Sequence, residues 1–342
     1  MAATTLLSCM QFHDNSQTAE ATSTQAKHYV EGKAECVMEL HSRRVLFASN
    51  SDIRLPMAST TKILTATTVL EECDNLSEKI VIPEEAAGIT GSSVYLKSGD
   101  TYTVEELLYG LMLRSGNDCA TALALHFGGN LGGFSSKMNA VAQKAGALES
   151  NFVNPHGLPC NGHYTTAQDL SRITCYALHN PTFCEIVSTK YYQPKHWQNK
   201  NKMLKLFDGA IGVKTGYTKE AGRCLVSAAT RNNMTLICSV LNCPTTYERS
   251  IVLLEDAFRA YSYVPLLSQE KLFCLDDGKT KVNARSDRDF YYPLLEGEAQ
   301  WIEEKTELVT SELKNKKSGE IIGKIEIYLA KRLLFSGNLY KL

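Results

Sequence analysis

Between Ala34 and Asn50 the apolar residues fall on alternate positions. Cys36, Met38 and Leu40 are separated by polar neighbours, a turn falls near His41-Ser42-Arg43, and Val45-Leu46-Phe47 resumes the pattern. A period of two predicts a strand hairpin. Beyond Leu55-Pro56, the sequence Ser59-Thr60-Thr61-Lys62 leads into apolar Ile63, Leu64 and Leu70. This predicts a helix starting at or just before Ser59, because a serine is at home near a helix N-terminus. Thr103-x-x-Glu106 has the form of a capping box and opens a second helix that runs to Ser115-Gly116-Asn117. Further helical stretches are predicted over 118–126, 134–145 and 166–178, the last opened by Thr166-x-x-Asp169. The breakers in Asn154-Pro155-His156-Gly157-Leu158-Pro159 predict a loop. The Gly128–Gly133 run lies between helices with no preceding strand, so it reads as a turn and not as a phosphate cradle.

After Asp208 the pattern changes. Segments 211–216, 223–230 and 234–241 predict three consecutive strands, and a helix over 247–261 closes the region. Helices flanked by early and late strands imply an α+β fold: a central antiparallel sheet with strands from both ends of the domain, flanked by helices. Beyond Pro265, alternating segments such as Gly323–Leu329 predict a small all-β module. The expected organisation is a signal-remnant and linker segment over 1–33, a main domain over 34–265 and a β-rich domain over 266–342.

Composition narrows the function little. The chain has 342 residues, 44% hydrophobic and 21% charged, with a net charge of −1 and no long basic run, which argues against a nucleic-acid partner. No stretch is long and apolar enough to read as a membrane span. The N-terminal MAATTLLSCMQF reads as the tail of a truncated signal peptide, followed by a polar linker. Eleven cysteines without a CxxC or a Cys/His cluster give no metal site, and their odd number argues against a fully paired disulfide framework. The eight histidines are scattered, so no metal or other cofactor is expected.

Three short motifs carry the chemistry: Ser59-x-x-Lys62, Ser115-Gly116-Asn117 and Lys214-Thr215-Gly216, in that order. A serine hydroxyl is a poor nucleophile until a base takes its proton. Positions i and i+3 share a helix face, so Lys62 can reach the Ser59 oxygen. Lysine serves as a base only when neutral, a state favoured by burial and by a second cation, for which Lys214 is the candidate. The Ser59 N–H at a helix start is one candidate donor to an oxyanion. Ser115 and Asn117 flank a sharp glycine between helices, where the hydroxyl can relay a proton to a leaving amine and the amide can hold a peptide carbonyl. Lys214 and Thr215 on a strand can bind a terminal carboxylate, while Gly216 permits a peptide to add along the strand edge. Each motif alone is weak: Ser311-x-x-Lys314 and Ser336-Gly337-Asn338 repeat two of them in the C-terminal module, where no site is expected. Order and element type together give the set its weight.

The chain resembles the serine D-Ala-D-Ala carboxypeptidases, the low-molecular-mass penicillin-binding proteins. The likeness rests on Pro56-Met-Ala-Ser-Thr-Thr-Lys62, Leu113-Arg-Ser-Gly-Asn-Asp118, Asn154-Pro-His-Gly-Leu-Pro159 and Gly212-Val-Lys-Thr-Gly-Tyr-Thr218. It implies a transpeptidase-like domain and an enzyme that removes the last D-Ala from peptidoglycan stem peptides, with β-lactams as covalent inhibitors. It also implies an extracytoplasmic location, with any membrane attachment made through a segment outside this sequence. The resemblance places the second oxyanion N–H on Tyr217, adds Thr218 to the substrate strand and sets Arg249 near the carboxylate site. Frequent cysteines depart from the pattern of an exported protein. A class A β-lactamase shares the three motifs but needs a carboxylate to activate water, and Glu149 is the one candidate in the right interval. A non-catalytic wall binder is disfavoured because every motif residue is intact.

Overall fold

The computed structural model describes residues 31–310 and 312–342; the signal and linker expectation for 1–30 lies outside them. Strands from an early and a late segment of the main domain build the main sheet. The expected hairpin forms strands β1 (Ala34–Glu39) and β2 (Val45–Ser49), and the expected triple forms β3 (Ala210–Thr218), β4 (Gly222–Arg231) and β5 (Met234–Leu241). Every pairing is antiparallel and the strand order is β2-β1-β5-β4-β3, which leaves β3 at the sheet edge.

Side-chain alternation divides the sheet into two buried faces. Cys36, Met38, Val226 and Ile237 pack with Ile63, Leu64, Leu170 and Ile173 of the helical layer. Val37, Leu225, Cys238 and Val240 face the other way, onto Leu253 and Leu254. The helical layer contains α1 (Lys62–Glu72), α2 (Val104–Tyr109), α3 (Asn117–Gly128), α4 (Leu131–Lys144), α5 (Ala167–Ala177) and α6 (Pro181–Ser188), and α7 (Thr246–Ala260) covers the opposite face. Both capping expectations hold. Thr103 and Glu106 form the reciprocal box, and the Thr166 side chain accepts from Asp169 N. The helix expected from Ser59 starts later, because Ala58–Thr61 is a 3-10 turn and the α-helix begins at Lys62.

Strand Tyr261–Leu267 leaves α7 and pairs with Phe290–Leu295, so the boundary expected at 265 falls inside a strand. The C-terminal part is a five-stranded antiparallel sheet over Leu275, Ile322, Ile325, Ile327 and Leu339. Its Ser336-Gly337-Asn338 lies within strand Arg332–Lys341, and its Lys314 is in a short 3-10 turn. No helix among the described residues is long and apolar enough to cross a membrane, and no cluster of three metal-ligating side chains occurs among them.

Candidate active site

The nucleophile turn is held from two sides by glycines. At Gly216 on β3, an added methyl would lie 3.0 Å from Met57 O and 3.1 Å from Ser59 N, so the strand edge runs directly against the turn. Gly157 has φ +86°, and a methyl there would sit 1.9 Å from Ala58 O. Only glycine lets the 154–159 loop close on the turn at this position. Thr65 Oγ1 donates to Pro155 O at 2.6 Å and fastens the same loop to α1.

The third wall is the corner between α2 and α3. A π-helical turn, Gly110–Arg114, ends at Ser115 in the left-handed region (φ 63°, ψ 34°). A non-glycine residue in that region is held against a cost of about 1–3 kcal/mol, a pattern concentrated at functional sites. Asn117 N donates to Ser92 O at 2.7 Å and its Nδ2 donates to Thr90 O at 2.6 Å. Asp118 is buried and accepts from Ser93 Oγ, Val94 N and Leu96 N, tying the 90–96 loop to the corner.

At the centre lies Lys62, fully buried. Its Nζ is 2.7 Å from Asn117 Oδ1, 2.7 Å from His156 O and 3.1 Å from Ser59 Oγ. Burial holds the amine well below the ordinary lysine range, and the charges of Lys214 and Lys200 push the same way. A neutral amine has two N–H bonds and one lone pair. The two carbonyl oxygens can only accept, so they take both N–H bonds, and the lone pair is left facing the Ser59 hydroxyl. That is the arrangement of a general base on its nucleophile.

Lys214 is also buried, and burial together with Lys200 lowers it to about 7. Its Nζ donates to Thr215 O at 3.0 Å. Thr215 and Thr218 follow on the same edge strand, Thr218 Oγ1 accepts from Ala221 N, and the Tyr217 side chain is 65% exposed beside Gly216. Ser115 is buried next to Asn117, but among the described residues neither lysine amine donates to its hydroxyl. Asn117 differs from expectation in part. Its oxygen serves Lys62 and one amide hydrogen serves Thr90, so a single N–H remains for a substrate carbonyl.

Arg249 is held by a buried carboxylate. It lies on α7 and makes a bidentate pair with Glu35, Nε to Oε1 at 2.8 Å and Nη2 to Oε2 at 2.7 Å. Glu35 alternates with Cys36 on β1 and shares the face of Val37, opposite the helical layer that carries α1. A fully buried carboxylate needs that partner, and the guanidinium is used in supplying it. Lys200 takes a place that the sequence did not announce. Its backbone N–H donates to Leu113 O at 3.1 Å, its Nζ approaches Ser92 Oγ at 3.4 Å, and its charge acts on both buried lysines. Glu149 points away, in an exposed ion pair with Arg54 at 2.5 Å.

Residues 17–245 match the family profile described as D-alanyl-D-alanine carboxypeptidase. The chain belongs to this family of serine peptidases. Among similar curated proteins, D-alanyl-D-alanine carboxypeptidase DacF of Bacillus subtilis is 34% identical over 255 residues, covering 70% of this chain and 66% of the relative. DacA of Haemophilus influenzae is 30% identical over 325 residues, 89% of this chain and 82% of the relative. Penicillin binding protein 5 of H. influenzae superposes with a TM-score of 0.76 at 27% identity, covering 92% of this chain and 97% of that structure. A point mutant of the Streptomyces K15 DD-transpeptidase superposes with a TM-score of 0.62 at 33% identity, covering 67% of this chain and 98% of that structure. The penicillin-binding fold expected from the motifs is the fold found, including a β-rich C-terminal part.

Proposed function

We propose that this D-alanyl-D-alanine carboxypeptidase acts through Ser59 on peptidoglycan stem peptides, outside the cytoplasmic membrane, and is acylated at the same residue by β-lactams. The observation that carries this reading is the 3.1 Å approach of Lys62 Nζ to Ser59 Oγ, with Asn117 Oδ1 and His156 O each 2.7 Å from the same nitrogen. Lys62 takes the Ser59 proton as Oγ attacks the carbonyl between the two D-alanines. The N–H groups of Ser59 and Tyr217 hold the oxyanion, and a peptide laid along the β3 edge presents its carboxylate to Lys214 and Thr215. The C–N bond then breaks, and the departing amine receives a proton from Lys62 through Ser115, with Lys214 holding the charge balance. Water attacks the Ser59 ester, releases the shortened peptide and restores the hydroxyl.

Intact-mass measurement after penicillin treatment should show one adduct, mapped to the peptide containing Ser59 and absent from Ser59→Ala. D-Alanine should be released from a stem pentapeptide by the parent and not by that variant. An adduct on another residue would overturn the assignment. Rapid penicillin turnover would favour a lactamase, a reading weakened by the outward-facing Glu149.

A further inference from the structure

His163 is buried at 7% exposure behind the nucleophile turn and has no part in the chemistry above. Its ring lies perpendicular to that of Phe152 with centroids 5.8 Å apart, and both ring nitrogens are engaged. Val153 N donates to Nδ1 at 3.0 Å. Nε2 lies 2.9 Å from Thr61 Oγ1, and Thr61 Oγ1 lies 2.9 Å from Ala58 O. Direction along this chain is fixed at its ends, since a backbone N–H can only donate and a carbonyl can only accept. The ring is therefore neutral with its proton on Nε2, which donates to Thr61, which in turn donates to Ala58 O. Burial favours that neutral form by lowering the ring to about 4.

The end of the chain is what matters. Ala58 O and Ser59 N belong to one planar peptide unit, so fixing the oxygen fixes the direction of the N–H. Ala58 has φ +50°, a conformation that needs external support in a residue with a side chain. A hydrogen bond to the carbonyl also draws electron density from the peptide nitrogen, and aligned bonds in series strengthen one another.

We propose that His163 is a positioning residue for the oxyanion hole, acting through Thr61 to orient and polarise the Ala58–Ser59 peptide whose N–H receives the developing negative charge. The inference rests on Ser59 as nucleophile. Its support follows from the topology: the 153–163 segment closes over the turn with Gly157 against Ala58 O, and His163 secures the same oxygen through Thr61.

Stopped-flow acylation by a fluorescent penicillin separates the prior binding constant from the first-order acylation constant. Thr61→Val keeps the volume and removes the relay, whereas Thr61→Ser keeps the relay. Thr61→Val and His163→Leu should each slow the first-order constant about 10-fold or more with binding nearly unchanged, because the lost interaction is made in the transition state. Thr61→Ser should acylate like the parent, His163→Gln should recover part of the loss through its amide donor, and the Val/Leu double variant should be no slower than either single. If His163→Leu does not fold, the Thr61 pair decides alone. First-order constants within about twofold of the parent for Thr61→Val, or a loss confined to the binding constant, would overturn the proposal. A parent adduct mapping away from Ser59 would instead remove the reading beneath it.

Discussion

At the scale of single residues, the site depends on keeping one amine uncharged beside another that is charged. Burial lowers Lys62 well below the ordinary lysine range and the charges of Lys214 and Lys200 push the same way, which favours the uncharged amine. Burial and Lys200 lower Lys214 to about 7, so that it loses its own charge as pH rises. Acylation of the free enzyme should therefore fall on the acid side as Lys62 takes a proton, and on the alkaline side through about pH 7 as Lys214 loses one. Removing a cation raises the pKa of neighbouring amines. Lys200→Gln should thus displace both limbs to higher pH, and a profile of the second-order acylation constant reads this directly; limbs that stay or move down would remove Lys200 from the electrostatics. Ser59 and Lys62 were legible as partners because they are reactive types at helical spacing, whereas the Asn117 oxygen on Lys62 was not, since the amide was expected to face a substrate carbonyl. His156 O was not, since a main-chain carbonyl leaves no mark in a sequence. Lys200 was hidden because one lysine in a polar stretch looks like any solvated lysine. The pairing of Arg249 with Glu35 was not legible, because only the register of β1 shows which face Glu35 occupies.

Among the elements, the decisive contact is a loop pressed on a turn. The helices were readable from their caps, as at Thr103 and Thr166, and the strands from alternation. Helix α6, not among the expected helices, carries its own start signal, with Asn180 as its cap and Pro181 opening it. The 3-10 geometry at Ala58–Thr61 was not readable, because the positive φ of Ala58 is imposed by neighbours and not by local preference. Gly157→Ala should be costly on two grounds, a left-handed backbone and a methyl 1.9 Å from Ala58 O. Acylation should drop by roughly two orders of magnitude in whatever protein remains folded, since a displacement of about 1 Å at a nucleophile has that effect. Parent-like labelling by a fluorescent penicillin would contradict the packing argument. The 153–163 segment that includes this loop carries an acid-sensitive pair. Burial lowers His156 to about 3, helped by Lys62 and His163, and burial lowers His163 to about 4. Unfolded histidines titrate near 6.5, so between that value and the folded ones the unfolded chain binds more protons and stability falls as pH falls. Each ring contributes a slope of up to about 1.4 kcal/mol per pH unit. Urea midpoints measured from neutral pH downward should fall less steeply for the double variant His156→Gln/His163→Gln than for the parent.

On the scale of the whole molecule, the question is how the C-terminal sheet is coupled to the catalytic body. The joint is built around Arg44, just before β2. Its guanidinium makes a bidentate pair with Glu298 at 2.6 and 2.8 Å, donates to Pro293 O at 2.7 Å, and lies over the rings of Tyr261 and Tyr292 at 5.2 and 5.3 Å. Tyr261 OH adds a bond back to Leu46 O at 3.2 Å. A surface ion pair would be worth little, but this one is mostly buried, shares its cation with two rings and satisfies a carbonyl besides. Arg44→Met keeps much of the aliphatic stem and removes the polar links made by the guanidinium, leaving Glu298 without its cation; truncations of this kind cost roughly 2–5 kcal/mol. The loss falls on the joint and not on either core, since the catalytic body and the C-terminal sheet bury separate apolar clusters. Denaturant unfolding of Arg44→Met should accordingly separate into two transitions, with the C-terminal part melting first and penicillin acylation persisting until the second. One transition at the parental midpoint would mean that the strand ladder of Tyr261–Leu267 with Phe290–Leu295 holds the two parts together without Arg44.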